Sequence, residues 1–337
     1  MGPLKEYHDS NFIDLRRLIK AYLKRAKEIE EYLEIHPGEW GRFQSEFNFE
    51  VNKVFQRIMD FERKCFANDK LEKVEKLRKI FDRSFKKYFL KGVYNAWSLR
   101  KPYGYSGDFK IIEDIYQNDP PTAGFERLFD NYFQMSSIAI AVRNRKDDLK
   151  KNLLDYIKNK KNKVKILCIA CGAAREVKEI LRDYNLNIQI EFDCLDIEEK
   201  ALTYAKKSLN GYENIKFLKE NVVRLAVSKN INRKFDTKYD YIYSLGLFDY
   251  LNFKTSIKLI RNLRELLNDN GELFISDVRD RYYNPSVFFM EWGGDWELIY
   301  RDDNEFNSIF IESGFDKGNL KRIYEQQGIL QYIRAKK

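Results

Sequence analysis

One short turn of the chain has the residue types that bring a ligand close to the main chain. The run Ala170-Cys-Gly-Ala-Ala174 ends an apolar stretch, Val164–Ala170, and a helical pattern follows at once. Small side chains allow close approach, as in the first strand-to-helix turn of nucleotide-binding sheets. Arg175 and Glu176 stand in the first helical turn, where the acid disfavours a phosphate. A structural turn would use Gly172 as readily, so the turn alone leaves both interpretations open.

A carboxylate strengthens the ligand-binding interpretation. Asp196 ends the second predicted strand, 24 residues after Gly172, where it can accept hydrogen bonds from both hydroxyls of a ribose. Together the turn and the acid fit an adenosine-containing ligand without a pyrophosphate. The alternative is that Asp196 caps the predicted helix over 201–209.

The cysteines do not predict a metal site. Cys168 and Cys171 form a C-x-x-C pair, but zinc would need two further ligands, and the only histidines, His8 and His36, are distant in sequence. Two buried structural thiols are the expected arrangement. The scarcity of histidine also argues against histidine acid–base catalysis.

A tyrosine- and glycine-rich segment lies between two predicted helices. Gly104 and Gly107 give it a backbone that can fold over a ligand, with Tyr103, Tyr105 and Asp108 facing inward. We take these three side chains as catalytic candidates. An ordinary helix–helix turn is the alternative, and Asp108 could also cap the short helix that follows.

Two arginines lie on a mostly apolar predicted helix. A buried guanidinium needs an anionic partner, and Arg143 has no acid three or four residues before it. We therefore expect Arg143 to hold a carboxylate, either the cofactor's or the substrate's. Arg145 is expected to lie on a solvated face.

The elements that must position these residues fall into two parts. Helical spacing of apolar residues predicts an all-α region over residues 1–155, with helices over 12–35, 51–65, 71–88 and 125–154, the third ending at Tyr88. From Val164, short apolar strands alternate with helices, which predicts a mostly parallel, doubly wound sheet. A hairpin at Glu325–Gly328 makes the last strand antiparallel. We expect an α/β fold with a helical domain over 1–155 and a Rossmann-like domain over 156–337.

Composition narrows the function classes. The formal charge is +9 and 44% of residues are hydrophobic, enough for two packed cores. Lysine is spread along the chain, so no nucleic-acid groove is predicted. No run is apolar and long enough to span a bilayer, and no signal peptide is evident, so we expect a cytoplasmic protein.

The sheet region resembles the class I S-adenosylmethionine-dependent methyltransferases over residues 163–337. The resemblance rests on the order of elements, the motif Ile166–Gly172, Asp196 and the antiparallel last strand. It implies S-adenosyl-L-methionine as cofactor, with Ala170 and Gly172 beside the methionine part, Arg175 in the same turn, Asp196 on the ribose, Asn221 on the adenine edge, and Ser244 with Leu245 beneath the sulfonium. The sequence departs from the pattern at Ala170 and Ala174, where glycine is common, and at Asn221, where aspartate is frequent.

A narrower resemblance covers both parts of the chain. The stretches 101–108, 141–145, 246–251 and 291–301 are similar to extracellular-factor 3-hydroxypalmitic acid methyl ester biosynthesis proteins. This similarity implies methylation of a fatty-acid carboxylate.

These observations lead to one expected function and two alternatives. We expect a small-molecule methyltransferase with an acidic substrate and no metal, in which the helical region is a lid and Tyr103, Tyr105, Asp108 and Arg143 serve the reaction. A carboxylate is already ionised at neutral pH and needs no strong base, whereas a hydroxyl or amine acceptor could use Tyr103, Asp108 or Asp249. The alternatives are intramolecular cyclisation of the cofactor's amino-acid part and a degenerate, non-catalytic binding module. The acceptor and the oligomeric state stay open.

Overall fold

The structure is a computed structural model that describes residues 10–86, 91–158, 160–184, 188–235 and 237–337. Tyr88, with which the third predicted helix ends, and His8 lie outside the described residues. The chain packs into two compact units. The helical unit contains the described residues up to Gly107 with Gln117–Ala139 and Pro285–Glu297, and the sheet unit contains Asp108–Tyr116, Ile140–Asn284 and Leu298–Lys337.

Helices and strands follow one another in the predicted order, except that the helix Val93–Arg100 was not predicted. The helices are α1 Ser10–Ile35, α2 Gln44–Ala67, α3 Leu71–Ser84, α4 Val93–Arg100, α5 Phe109–Gln117, α6 Gly124–Met135, α7 Ser137–Lys158, α8 Arg175–Asp183, α9 Glu199–Ser208, α10 Val222–Ala226, α11 Phe253–Leu266 and α12 Asp303–Glu312. The strands are β1 Val164–Ile169, β2 Ile190–Asp196, β3 Ile215–Lys219, β4 Tyr239–Ser244, β5 Leu267–Val278, β6 Leu320–Tyr324 and β7 Leu330–Lys336.

The seven strands form one sheet in the order β3-β2-β1-β4-β5-β7-β6. β1 to β5 pair in parallel, and β7 pairs antiparallel with both β5 and β6. The tight connection after Tyr324, closed by the Gly328 N–H donating to the Glu325 carbonyl oxygen at 2.8 Å, forces this reversal. The predicted Rossmann-like sheet with an antiparallel last strand is confirmed.

The helical unit has an aromatic core. The Phe47 ring, on α2, lies 4.7 Å from Phe129 and 6.3 Å from Tyr132 of α6, in edge-to-face arrangements that aromatic rings favour. Phe81, in the last turn of α3, and Phe85, directly after the helix, are fully buried. These contacts explain why the apolar spacing in the sequence predicted helices here. Among the described residues before β1 there is no strand, which confirms the predicted helical N-terminal region.

One long predicted helix is wrong. The helix expected over 125–154 is broken at Ser136, whose backbone is extended (φ −62°, ψ 145°). The Ser136 hydroxyl donates to the Phe133 carbonyl oxygen at 2.6 Å and accepts from the Ala139 N–H at 3.4 Å. The serine therefore ends α6 and caps α7, because a short hydroxyl side chain competes with the helical hydrogen bonds of the main chain.

The break at Ser136 lies near a boundary between the units. α6 packs in the helical unit, and α7 from Ile140 onward packs in the sheet unit, as does α5. The division into a lid domain over 1–155 and a cofactor domain over 156–337 stays a prediction. In the part of the chain that the structure describes, no helix has the length and hydrophobicity that a membrane span requires.

Candidate functional site

The carboxyl ends of three neighbouring strands meet in the middle of the sheet. Ile169, at the end of β1, is in register with Leu195 of β2 and with Ser244 of β4. The segments that begin at Ala170, Asp196 and Leu245 therefore leave the sheet side by side. Such an edge is where parallel sheets bind their ligands.

The turn after β1 has an unusual backbone. Ala170, Gly172 and Ala174 have φ values of +55°, +53° and +49°. This left-handed region costs an alanine about 1 kcal/mol or more, while glycine enters it freely. The two alanines thus occupy positions whose conformation favours glycine, which gives a structural reason why glycine is common at these positions in the pattern that the sequence resembles.

Asp196 holds this turn. It is 7% exposed, and its carboxylate accepts the Gly172 N–H at 2.8 Å and the Glu198 N–H at 2.9 Å. Burial raises the pKa of Asp196, and these two N–H donors, together with the Ile197 N–H, oppose that rise. The alternative that Asp196 caps the following helix is wrong, since the N-cap of α9 is Glu198. A carboxylate has about four acceptor sites, so with the Ile197 N–H as a third main-chain donor one remains for a ligand hydroxyl.

The first turn of α8 carries a buried acid. Glu176 is 5% exposed and accepts the Tyr243 hydroxyl at 2.9 Å, while Cys168 Sγ lies 3.7 Å from the same oxygen. Burial raises the pKa of Glu176. An acid beneath the start of the helix suits an uncharged ligand group better than a phosphate.

Arg175 is paired with an acid from a distant helix. Its guanidinium donates from Nε to Glu113 Oε2 at 2.8 Å and from Nη2 to Oε1, and the Tyr204 hydroxyl donates to Oε1 at 3.0 Å. Glu113 lies on α5. At the start of the same helix, Phe109 packs against Gly172, where an added Cβ would lie 3.5 Å from Phe109 Cβ. Helix α5 therefore covers the turn, and Arg175 acts in holding it there.

Ser244 and Asn221 make local hydrogen bonds at the same edge. The Ser244 hydroxyl, fully buried, donates to the Ile169 carbonyl oxygen at 2.9 Å. Asn221 Oδ1 accepts the Val223 N–H at 2.8 Å and caps α10. Leu245 is half-buried. The cofactor contacts implied for these residues stay predictions.

The four catalytic candidates lie in both units. Tyr103, whose ring is 6.2 Å from Trp97, and Tyr105, 38% exposed, belong to the helical unit. Asp108 is fully buried in the sheet unit, where its Oδ1 accepts the Lys110 and Ile111 N–H groups at 2.9 and 3.1 Å. The expectation that it caps a short helix is confirmed. Arg143 is half-buried and donates to the Ile115 carbonyl oxygen at 3.5 Å.

The prediction that Arg145 lies on a solvated face is wrong. The residue is 5% exposed instead of solvated. Its neighbours are Tyr116 of α5 and Gly246 and Asp249 of the loop after β4, so they come from two other segments. Helical spacing on α7 gave no sign of them. The one signal that could have found it was the narrower resemblance, whose motif 141–145 includes this arginine.

Two further buried groups were missed in the same region. Asp277, at the end of β5, is fully buried and lies 2.8 Å from the Arg301 Nη1. Arg301 also donates to the Phe248 carbonyl oxygen at 2.9 Å. Burial raises the pKa of both Asp277 and Asp249.

The side chains present fit a nucleoside ligand and not a metal. In the residues described, no group of three or more histidine, cysteine, aspartate or glutamate side chains could hold a metal ion. S-adenosyl-L-methionine has a ribose and no phosphate. It fits the left-handed turn after β1, the buried Asp196 carboxylate and the acid of Glu176.

The strand order and this edge define the protein class. They are those of the class I S-adenosyl-L-methionine-dependent methyltransferase fold. Residues 167–273 match the family described as methyltransferase domain, so this part of the chain is a methyltransferase domain.

Solved structures that are similar to the chain include one from Bordetella and one from Synechocystis. A possible exported protein from Bordetella parapertussis has a TM-score of 0.55 at 15% identity and aligns over 100% of this chain and 99% of its own. Magnesium protoporphyrin IX methyltransferase from Synechocystis PCC 6803, with bound SAH, has a TM-score of 0.48 at 14% identity, over 67% of this chain and 92% of its own.

One curated protein matches part of the sequence. The histidine–tRNA ligase of Mycoplasma mobile is 31% identical over 148 residues, which are 42% of this chain and 30% of the ligase. The chain thus spans less than a third of the length of that relative.

Proposed function

We propose that the chain transfers a methyl group from S-adenosyl-L-methionine to a carboxylate of a small, acidic, fatty-acid-like acceptor. The observation that carries the cofactor part is the buried Asp196, held by the Gly172 N–H at 2.8 Å at the end of β2. The proposal extends to the whole chain the chemistry of its methyltransferase domain.

The chain's own residues would bind and orient the cofactor. Asp196 would accept the ribose hydroxyls, Asn221 would meet the adenine edge, and Ala170 and Gly172 would line the methionine part. When bound, S-adenosyl-L-methionine supplies an electrophilic methyl group on a sulfonium. Methyl transfer needs alignment and exclusion of water, and no metal. Helix α5 contributes to that exclusion, because Phe109 lies against the turn.

The acceptor class follows from acid–base chemistry. A carboxylate is a nucleophile without any base, and the sequence has only two histidines. Arg143 is half-buried, which suits a guanidinium that binds a carboxylate in bidentate geometry. The similarity to 3-hydroxypalmitic acid methyl ester biosynthesis proteins supports a fatty-acid acceptor. A lid role for the helical unit, with Tyr103 and Tyr105, belongs to the same proposal.

Mass spectrometry of the products tests this function. The full chain is incubated with S-adenosyl-L-methionine, with and without 3-hydroxy fatty acids. Acceptor-dependent S-adenosylhomocysteine and a methyl ester are the expected products. Methylthioadenosine formed without an acceptor would instead indicate cyclisation of the cofactor. Absence of binding heat in calorimetry with S-adenosyl-L-methionine would indicate a non-catalytic module.

A further inference from the structure

The loop after β4 approaches an arginine from a distant helix. Gly246 has a φ of +76°, and the guanidinium of Arg145 lies against it. A Cβ added at position 246 would lie 2.6 Å from Arg145 Nη1 and 3.1 Å from Cζ. Because Arg145 is 5% exposed, its end cannot swing into solvent. Only glycine therefore lets the loop and the guanidinium occupy their positions together.

Hydrogen bonds to β5 fix the same loop. The Gly246 N–H donates to Ser276 Oγ at 3.0 Å, and Asp249 Oδ1 accepts the Val278 N–H at 2.8 Å. Both partners lie in β5. Arg145, on α7, thus completes a set of contacts that leaves the loop little freedom.

A purely structural role does not explain a buried arginine at position 145. Burial lowers the pKa of Arg145, but Tyr116 and Asp249 more than offset this, so the side chain stays charged. Its Nε has no hydrogen-bond partner among the described residues. A buried cation with an open donor costs free energy, and an apolar side chain would stabilise the fold as well.

We propose that Arg145 is a positioning residue that acts through Gly246 to set the loop 245–250 on which the sulfonium end of the cofactor rests. This inference rests on the proposed function, because the contact between Leu245 and the cofactor is itself part of that proposal. It assigns Arg145 no contact with the reacting atoms.

The test is a double-mutant cycle read by calorimetric binding of S-adenosylhomocysteine. Gly246→Ala should weaken binding about tenfold, because the new methyl group displaces the loop from the guanidinium. Gly211→Ala is the matched control: Gly211 has a φ of +98° and open space around it, so it measures backbone strain alone. It should change affinity less than about twofold. In an Arg145→Ala background, which itself binds about tenfold more weakly, Gly246→Ala should cost less than about threefold more.

Several results would overturn the inference. They are equal effects of the two glycine variants, and an undiminished effect of Gly246→Ala once Arg145 is truncated. Arg145→Lys separates positioning from charge: its thermal midpoint should stay near that of the parent while binding weakens by up to about tenfold, as in Arg145→Ala, and parent-like binding would refute the proposal. If Arg145→Ala does not fold, the two glycine variants and Arg145→Lys decide.

Binding and methylation measurements on the parent protein distinguish failure of this inference from failure of the proposed function. If it does not bind S-adenosylhomocysteine, both fail. If it binds but the cycle shows no coupling, only the role of Arg145 fails. If it binds with coupling but methylates no carboxylate, only the acceptor class fails.

Discussion

The Asp196 carboxylate accepts hydrogen bonds from the main chain and can accept a further one from a ligand. The backbone N–H groups of Gly172, Ile197 and Glu198 already donate to it, and burial raises its pKa. A carboxylate held in this way is oriented before any ligand arrives. Such preorganisation strengthens binding because less freedom is lost when the complex forms.

Replacing Asp196 should weaken the cofactor site. We expect Asp196→Ala to weaken S-adenosylhomocysteine binding by about 1.5–3 kcal/mol, the usual cost of losing hydrogen bonds to a charged group. Isothermal calorimetry measures it. Asp196→Asn keeps one oxygen for the main chain and should lose less. Unchanged affinity in the alanine variant, with an intact thermal transition, would move the ribose site elsewhere.

Arg143 is the residue that tests the acidic acceptor. Arg143→Lys should lose most methyl transfer to a fatty acid, since an ammonium cannot copy the two parallel hydrogen bonds of a guanidinium. Product formation at saturating cofactor measures the loss, and circular dichroism controls for folding. Rates close to those of the parent would remove Arg143 as the anchor.

At the scale of elements, the turn between β1 and α8 stores strain. Ala174, with a φ of +49°, is the N-cap of α8 and makes no side-chain cap. Ala174→Gly should raise the free energy of unfolding by about 0.5–1 kcal/mol, because glycine adopts the left-handed region without the penalty that alanine has. Thermal or urea unfolding measures it.

The neighbouring alanine is the control for this prediction. Ala173 is buried and outside the left-handed region, so Ala173→Gly should lower stability by about the same amount. Equal destabilisation by both glycine variants would show that the turn is not strained.

A buried acid should make the helical unit sensitive to pH. Asp130 on α6 is 1% exposed, and its Oδ2 accepts the Thr122 hydroxyl at 2.7 Å. Burial raises its pKa from 3.8 to about 6. The folded state thus keeps a proton that the unfolded chain loses near pH 4, so the stability from this group is full below that pH. It is lost as the pH rises through about 6.

An uncharged variant tests this pH dependence. Asp130→Asn should raise the free energy of unfolding at pH 7–8 by about 1–3 kcal/mol and leave it nearly unchanged at pH 4. Denaturant unfolding at both pH values measures it. Glu34→Gln, at an exposed position of α1, controls for the loss of one charge. The same gain at both pH values would contradict a buried ionisation.

The sequence predicted the helices and strands better than it predicted the contacts between distant segments. The central strands were predictable because they are short apolar runs between turn residues, and Asp196 because it ends such a run. The break at Ser136 was missed because apolar spacing continues across it. The burial of Arg145 was missed because Tyr116, Gly246 and Asp249 reach it from other segments, which helical spacing cannot show.

At the scale of the whole molecule, the two compact units interleave along the chain. The sheet unit includes α5 and most of α7, and all but the last three residues of α7 precede residue 156. A fragment of residues 156–337 therefore lacks two of its own helices, together with Glu113 and Arg143. We expect this fragment to show no cooperative thermal transition and no methyl transfer.

A longer fragment is the control for that truncation. A chain that begins at residue 10 keeps every described element and should unfold like the parent in calorimetry. A soluble 156–337 fragment with full activity would contradict both the packing argument and the proposed lid.

The chain passes from one unit to the other five times, after Gly107, Tyr116, Ala139, Asn284 and Glu297. A gene encoding such a protein cannot exchange its helical part by one recombination event, since any single crossover divides at least one of the units. Inheritance of the two units is thereby tied together. Variation that alters acceptor choice is expected to arise by substitution within the gene and not by exchange of modules.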